Sequence, residues 1–161
     1  MTDFEKLLRT LSDGSVEFIL IGGVAATAHG SARLTQDLDV VYRRTSENID
    51  TLCDTIGKLN PYLRDAPPGL PFLWDRITVE RGLNFTLTTD FGALDLLGEI
   101  TGGGDYDDLL QHTVLLTIFG IKCRCLNLEH LIRVKRATGR PKDLEAVAEL
   151  EALLEEESNN T

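Results

Sequence analysis

Two aspartates one residue apart, in Asp37-Leu38-Asp39, carry the clearest chemistry in this sequence. Side chains alternate faces along a strand, so both carboxylates point the same way, about 7 Å apart at the backbone. Leu38 and Val40 then point into the core. Carboxylates crowded among apolar residues are costly to bury unless a cation or hydrogen bonds satisfy them. A divalent metal would meet that cost, and a third acid would complete its ligand set. The candidate is Asp95, inside the apolar run Ala93-Leu94-Asp95-Leu96-Leu97. If its strand lies beside that of Asp37 and Asp39, three carboxylates converge on one face. Mg²⁺ takes hard oxygen ligands and commonly bridges protein carboxylates to substrate phosphates. Two such ions, roughly 3.5–4 Å apart, can activate a hydroxyl and stabilise a leaving pyrophosphate. The other reading of Asp95 is a strand-end acid paired with a nearby arginine.

Gly22-Gly23 closes the apolar run Phe18 to Ile21, and thirteen residues separate it from Asp37. Two glycines let backbone N–H groups approach an anion closely, and a helix starting there adds a favourable dipole. The alternative is a tight strand-to-helix turn with no ligand. Arg33 and Thr35 lie just before the acid strand, placed either to touch a substrate phosphate or to pair with Asp37 and fix the strand entry. Arg140, Lys142 and Asp143 open the last helix, where they either meet a triphosphate or cap and tether two helices. Lys135 and Arg136 read as a solvated face, with Lys135 in reach of phosphates as the alternative. His29 reads as a cap or structural hydrogen bond. Asp90-Phe91-Gly92 reads as a hairpin turn, because no kinase catalytic loop accompanies it. Gly102 to Gly104 reads as a flexible loop that lacks the dinucleotide-binding spacing.

The elements that must position these residues alternate between helix and strand. Phe4, Leu7, Leu8 and Leu11 repeat at helical spacing over Asp3 to Leu11. Phe18 to Gly22 predicts a short buried strand, Gly23 to His29 a helix, Asp37 to Tyr42 a second strand and Ser46 to Leu59 a second long helix. Residues 60 to 76 hold four of the five prolines and the only tryptophan, which predicts an irregular loop. Asn84 to Thr88 and Ala93 to Leu97 predict paired strands, as do Val114 to Phe119 and Ile121 to Leu126. Asn127 is a plausible N-cap for a helix through Ala137, and Arg140-Pro141 leads into a last helix ending near Glu157.

A chain of 161 residues with 42% hydrophobic content suits one domain, taken as 1–157 with 158–161 a frayed tail. The formal charge is −10, and no basic stretch stands out, which disfavours direct binding to a DNA or RNA backbone. Cys53, Cys123 and Cys125 are odd in number and lack Cys-x-x-Cys spacing, so they read as reduced thiols of a cytoplasmic protein. The start Met1-Thr2-Asp3 does not read as a signal peptide, and no apolar run reaches membrane-spanning length.

Gly22-Gly23, the gap of thirteen, Asp37-Leu38-Asp39-Val40 and the later Asp95 together resemble the nucleotidyltransferase superfamily, which shares the DNA polymerase β palm. The run GGVAATAHGSARLTQDLDV, with the late Arg140-Pro141-Lys142-Asp143, is similar to its small bacterial AbiEii-like and DUF6036-type members. The resemblance spans residues 16 to 150. It implies an α+β fold: a nucleotidyltransferase-like mixed β-sheet with flanking helices and a C-terminal helical hairpin. It also implies transfer of a nucleoside monophosphate from an NTP such as ATP to a hydroxyl acceptor (small molecule, tRNA or protein), with Mg²⁺ or Mn²⁺. Asp37, Asp39 and Asp95 would be the catalytic metal ligands, Asp95 also the base toward the acceptor. Gly22 and Gly23 would bear on the triphosphate, with Arg33, Thr35 and Lys142 as further nucleotide contacts. Gly23 stands where many active members carry a serine whose hydroxyl touches a phosphate. The other function compatible with the resemblance is a catalytically silent member, acting as a toxin–antitoxin or regulatory partner. A homodimer or a cognate partner protein stays open.

Overall fold

In the computed structural model, which describes residues 1–160, the chain folds around a central mixed sheet. The apolar side of α1 (Phe4–Asp13) is buried through Leu7, Leu8 and Leu11, and Asp3 caps its start by accepting from the Lys6 amide. All four residues of β1 (Phe18–Ile21) are buried, as a continuous apolar run in a central strand requires. Then come α2 (Gly22–Ala28), β2 (Asp37–Tyr42) and α3 (Ser46–Gly57), the last capped by Thr45. In β2 the alternation holds: Leu38 and Val40 are fully buried, while Asp37 and Asp39 face the other way, partly exposed.

Residues 60 to 76 are more ordered than their prolines imply. A two-residue strand, β3 (Tyr62–Leu63), forms inside them, and α4 (Arg76–Arg81) starts at their end behind the N-cap Asp75. Tyr62 and Phe72 make an edge-to-face contact at 6.0 Å, and Trp74 meets Phe85 the same way at 5.7 Å. These aromatics anchor a segment whose prolines exclude longer regular structure.

The β4 (Asn84–Thr89) and β5 (Gly92–Leu97) hairpin turns at Asp90-Phe91, as expected. Gly102 and Gly104 take positive φ and form the tight turn of a small hairpin, β6 (Glu99–Ile100) with β7 (Gly104–Asp105), where the sequence suggested a loop. Asp105 and Asp108 then form a capping box that starts the short helix α5 (Tyr106–Leu110). The second hairpin, β8 (Thr113–Ile118) with β9 (Ile121–Leu126), leads to α6 (Leu128–Thr138) and α7 (Pro141–Asn159). Pro141 sits at the first turn of α7, and Gly139 supplies the left-handed turn that ends α6. The last helix reaches Asn159, so residues 158 and 159 of the expected frayed tail are helical; Thr161 lies outside the described residues.

Among the described residues, seven strands form the main sheet in the order β3-β4-β5-β2-β1-β9-β8. β1 runs antiparallel to β2 and parallel to β9, and β2 runs parallel to β5. Helices flank the sheet, and α6 packs on α7 as a C-terminal hairpin. The expected α+β architecture is therefore the one found. The three cysteines are free, and burial pushes the Cys125 thiol up to about 12. Among the described residues no helix is long and apolar enough to cross a membrane.

Candidate functional site

The parallel pairing of β2 with β5 sets Asp39 directly opposite Asp95, and Asp37 opposite Ala93. Strands of opposite parity would have sent the two sets of carboxylates to different faces. In this register one carboxylate oxygen from each of Asp37, Asp39 and Asp95 lies within 4.8 Å of the others. Asp39 is the most perturbed. Burial first, then the charge of Asp95 and a hydrogen bond with it, then the charge of Asp37, raise its pKa to about 8, with Lys135 opposing. Its Oδ1 is buried and has no hydrogen-bond partner. An orphaned buried acceptor beside two further carboxylates is a donor set of hard oxygens, and it fits Mg²⁺ or Mn²⁺ rather than a thiophilic metal.

The glycine pair backs this cluster. Gly22 has φ +70°, and a Cβ there would lie 2.9 Å from Asp39 Cβ and Cγ, so only glycine lets the β1–α2 turn pass this close. A Cβ at Gly23 would lie 2.5 Å from Thr35 Oγ1 and 2.6 Å from its Cβ. The Thr35 side chain thus fills the space into which a side chain at 23 would project. Its hydroxyl donates to the Asp37 carbonyl at 3.3 Å.

A cavity of about 550 Å³ opens over the triad, with Gly23, Thr35 and the cations Arg33, Lys135, Arg140 and Lys142 in its wall. Gly22 stands behind Asp39, in the wall of an adjoining cavity of about 280 Å³. Gly22, Gly23, Arg33, Thr35, Asp37, Asp39, Asp95 and Lys142 therefore lie in the walls of these two adjoining cavities. The segment carrying Arg33 and Thr35 is tied to α7 by Glu149, which accepts from the Ser31 hydroxyl at 2.5 Å and the Ala32 amide at 3.2 Å. Those two bonds, Ser31 first, hold the Glu149 carboxyl below its ordinary value. Arg33 itself pairs with Glu145 at 3.9 Å.

Asp143 is 2% exposed and serves the tethering role among those considered. It accepts from Arg140 Nε at 2.7 Å, Thr138 Oγ1 at 2.8 Å and Lys135 Nζ at 3.4 Å, binding the end of α6 to the start of α7. These donors, Arg140 foremost, hold its carboxyl far below the usual carboxylate range. Of the two readings of Lys135, a solvated face or reach toward phosphates, its place fits the second: it is partly buried in the cavity wall and paired with Asp143. His29 caps α2 and meets the Leu126 carbonyl through Nε2 at 2.9 Å, a structural position.

Sequence reasoning assigns no role to Arg64 or to Glu149. Arg64 Nη2 sits 2.5 Å from Asp95 Oδ1 and 3.7 Å from Asp37 Oδ2. Asp95 thus sits with the other two acids and is also paired with an arginine, in mid-strand rather than at a strand end. No periodicity marks Arg64, which is one arginine in a proline-rich segment. Its role depends on β3 pairing with β4.

No family model matches the chain, and no curated protein matches it. Solved structures do. A candidate nucleotidyltransferase from Thermotoga maritima aligns over 95% of this chain and 91% of its own, with TM-score 0.53 and 16% identity. ANT(2")-Ia, in complex with adenylyl-2"-tobramycin, aligns over 93% and 91%, with TM-score 0.56 and 16% identity. An antigenic nucleotidyltransferase-like protein from Paracoccidioides brasiliensis aligns over 92% and 73%, with TM-score 0.56 and 19% identity. The chain has the nucleotidyltransferase fold.

Proposed function

We propose that this protein is a metal-dependent nucleotidyltransferase, moving a nucleoside monophosphate from an NTP to a hydroxyl acceptor with release of pyrophosphate. The observation that carries the reading is the pairing of Asp39 with Asp95, which gathers three carboxylates beneath a cavity walled by four cations. Asp37, Asp39 and Asp95 would hold Mg²⁺ or Mn²⁺, whose charge would neutralise the carboxylates and polarise the phosphates. Arg33, Lys135, Arg140 and Lys142 share the wall with the carboxylates of Asp37, Asp39, Asp95, Asp143 and Glu149, so the metal would supply the surplus positive charge that a triphosphate requires and the four side chains would add local contacts. The turn at Gly22 and Gly23 lets the backbone pass close behind the triad, with Gly23 in the wall of the same cavity. Thr35 fills the space beside Gly23 in the same wall, its hydroxyl donating to the Asp37 carbonyl.

In the reaction the acceptor oxygen attacks the α-phosphorus, a new P–O bond forms, and the bond to the bridging oxygen of pyrophosphate breaks. The acceptor proton passes to the Asp95 carboxylate. A small neutral or cationic acceptor suits a chain of net charge −10 better than tRNA does. The adenylylated tobramycin bound by one structural neighbour belongs to that chemical class.

Pyrophosphate release tests this, with each NTP, Mg²⁺ or Mn²⁺, and a panel of hydroxyl acceptors. Turnover by the native protein and none by a folded Asp39→Ala variant is expected. Equal release from both refutes catalysis at this site. One observation favours the alternative of a catalytically silent partner, the Arg64 guanidinium seated on two of the carboxylates. NTP binding by calorimetry without turnover on any acceptor would select that reading.

A further inference from the structure

The Arg64 side chain reaches across β4 to the triad. Its backbone amide donates to the Thr86 carbonyl at 2.9 Å, extending the short β3–β4 ladder by one bond. Nη1 donates to the Leu87 carbonyl at 3.1 Å, which aims the fork inward, and Nη2 meets Asp95 at 2.5 Å and Asp37 at 3.7 Å. The Arg64 side chain is 20% exposed and that of Asp95 19%, so little water screens this pair. The oxygens it holds, Asp95 Oδ1 and Asp37 Oδ2, are on carboxylates that a divalent cation would need. A guanidinium and a doubly charged ion cannot both sit within bonding distance of one carboxylate oxygen without strong repulsion.

The single charge of Arg64 also leaves the cluster incompletely satisfied. It touches two of the three acids, while Asp39 Oδ1 stays buried and unpartnered. A cation reaching all three would satisfy more acceptors than the guanidinium does. The segment bearing Arg64 is anchored by the contacts of Tyr62 and Trp74, so the side chain of Arg64 is what would swing away, from the rim of the sheet. β3 has two residues and lies at the sheet edge, and residues 65 to 75 continue without helix or strand.

We propose that Arg64 is an exchangeable counter-ion of the triad: it occupies Asp37 and Asp95 until a divalent cation displaces it. The exchange rests on the metal-site reading above. Arg64 is thereby a positioning residue that holds the carboxylates together and sets the cation concentration at which the site fills. By linkage, whatever the guanidinium gains from the carboxylates is subtracted from metal affinity.

The test is Mn²⁺ binding to the full chain without nucleotide, read from the electron paramagnetic resonance of free Mn²⁺. Native protein, Arg64→Met and Arg64→Lys are compared after circular dichroism has established their folding. Arg64→Met is expected to bind Mn²⁺ at least about tenfold more tightly than the native chain, with Arg64→Lys between them. Equal or weaker binding by Arg64→Met overturns the exchange while leaving the metal site standing. No Mn²⁺ binding by any of the three overturns the metal site, and the exchange with it. Should Arg64→Met fail to fold, the native chain decides. Its Arg64 Nε–H resonance, assigned with Arg64→Lys, is expected to shift on titration with Mg²⁺, and a resonance unmoved at saturation overturns the proposal.

Discussion

Replacing Asp39 by asparagine is expected to stabilise the metal-free protein, but only above acidic pH. The carboxyl has an ordinary value of 3.8 and a folded value of about 8, raised by burial first and by Asp95 next. Between those limits the folded chain keeps a proton that the unfolded chain has released. Stability is therefore fully present below the lower limit and is lost as pH rises through the upper one. At pH 7 the ceiling on that loss is about 4 kcal/mol. Water at the cavity mouth screens the cluster and brings the expected loss nearer about 2 kcal/mol. Asparagine copies the shape and hydrogen bonding of the protonated acid and carries no charge, so Asp39→Asn avoids the loss. In a chain of this size the gain corresponds to roughly 4–8 °C in Tm. Thermal denaturation followed by circular dichroism in EDTA checks it. The two proteins melt together at pH 3, the variant melts higher at pH 8, and added Mg²⁺ raises only the native protein. A variant no more stable than the native chain at pH 8, or a difference unchanged between the two pH values, refutes the argument.

Two further perturbations follow from the same geometry. Asp143→Asn removes the buried carboxylate that ties α6 to α7 and is expected to cost about 2–3 kcal/mol at pH 7 by urea denaturation. Because the Asp143 carboxyl is held low, chiefly by Arg140, that difference is present above the ordinary carboxylate value of 3.8 and fades as pH falls below it. Gly22→Ala imposes a side chain at φ +70° and drives its Cβ against Asp39. We expect a loss of about 2 kcal/mol in the same assay, together with weaker Mn²⁺ binding, because the displaced Asp39 no longer faces Asp95.

The sequence by itself determined the local chemistry. Alternation along a strand put Asp37 and Asp39 on one face and Leu38 and Val40 on the other. Asn127 and Pro141 marked where α6 and α7 begin, because capping is a matter of a few adjacent backbone groups. The short pieces β3, α4, β6, β7 and α5 were not legible, since each is stabilised by packing and turn geometry rather than by a hydrophobic period. Tertiary structure alone decided the rest of the site. Asp39 faces Asp95 only because two strands far apart in the chain lie side by side in parallel; the apolar alternation of each sets the face its acid takes, but not which strand it neighbours or how the two are aligned. Arg64 reaches the triad across β4, Glu149 holds the Ser31–Ala32 segment from the last helix, and Asp143 turns Lys135 inward. Each of these contacts joins charges that carry no periodic signal, so it arises only when the sheet and the C-terminal hairpin close on one another.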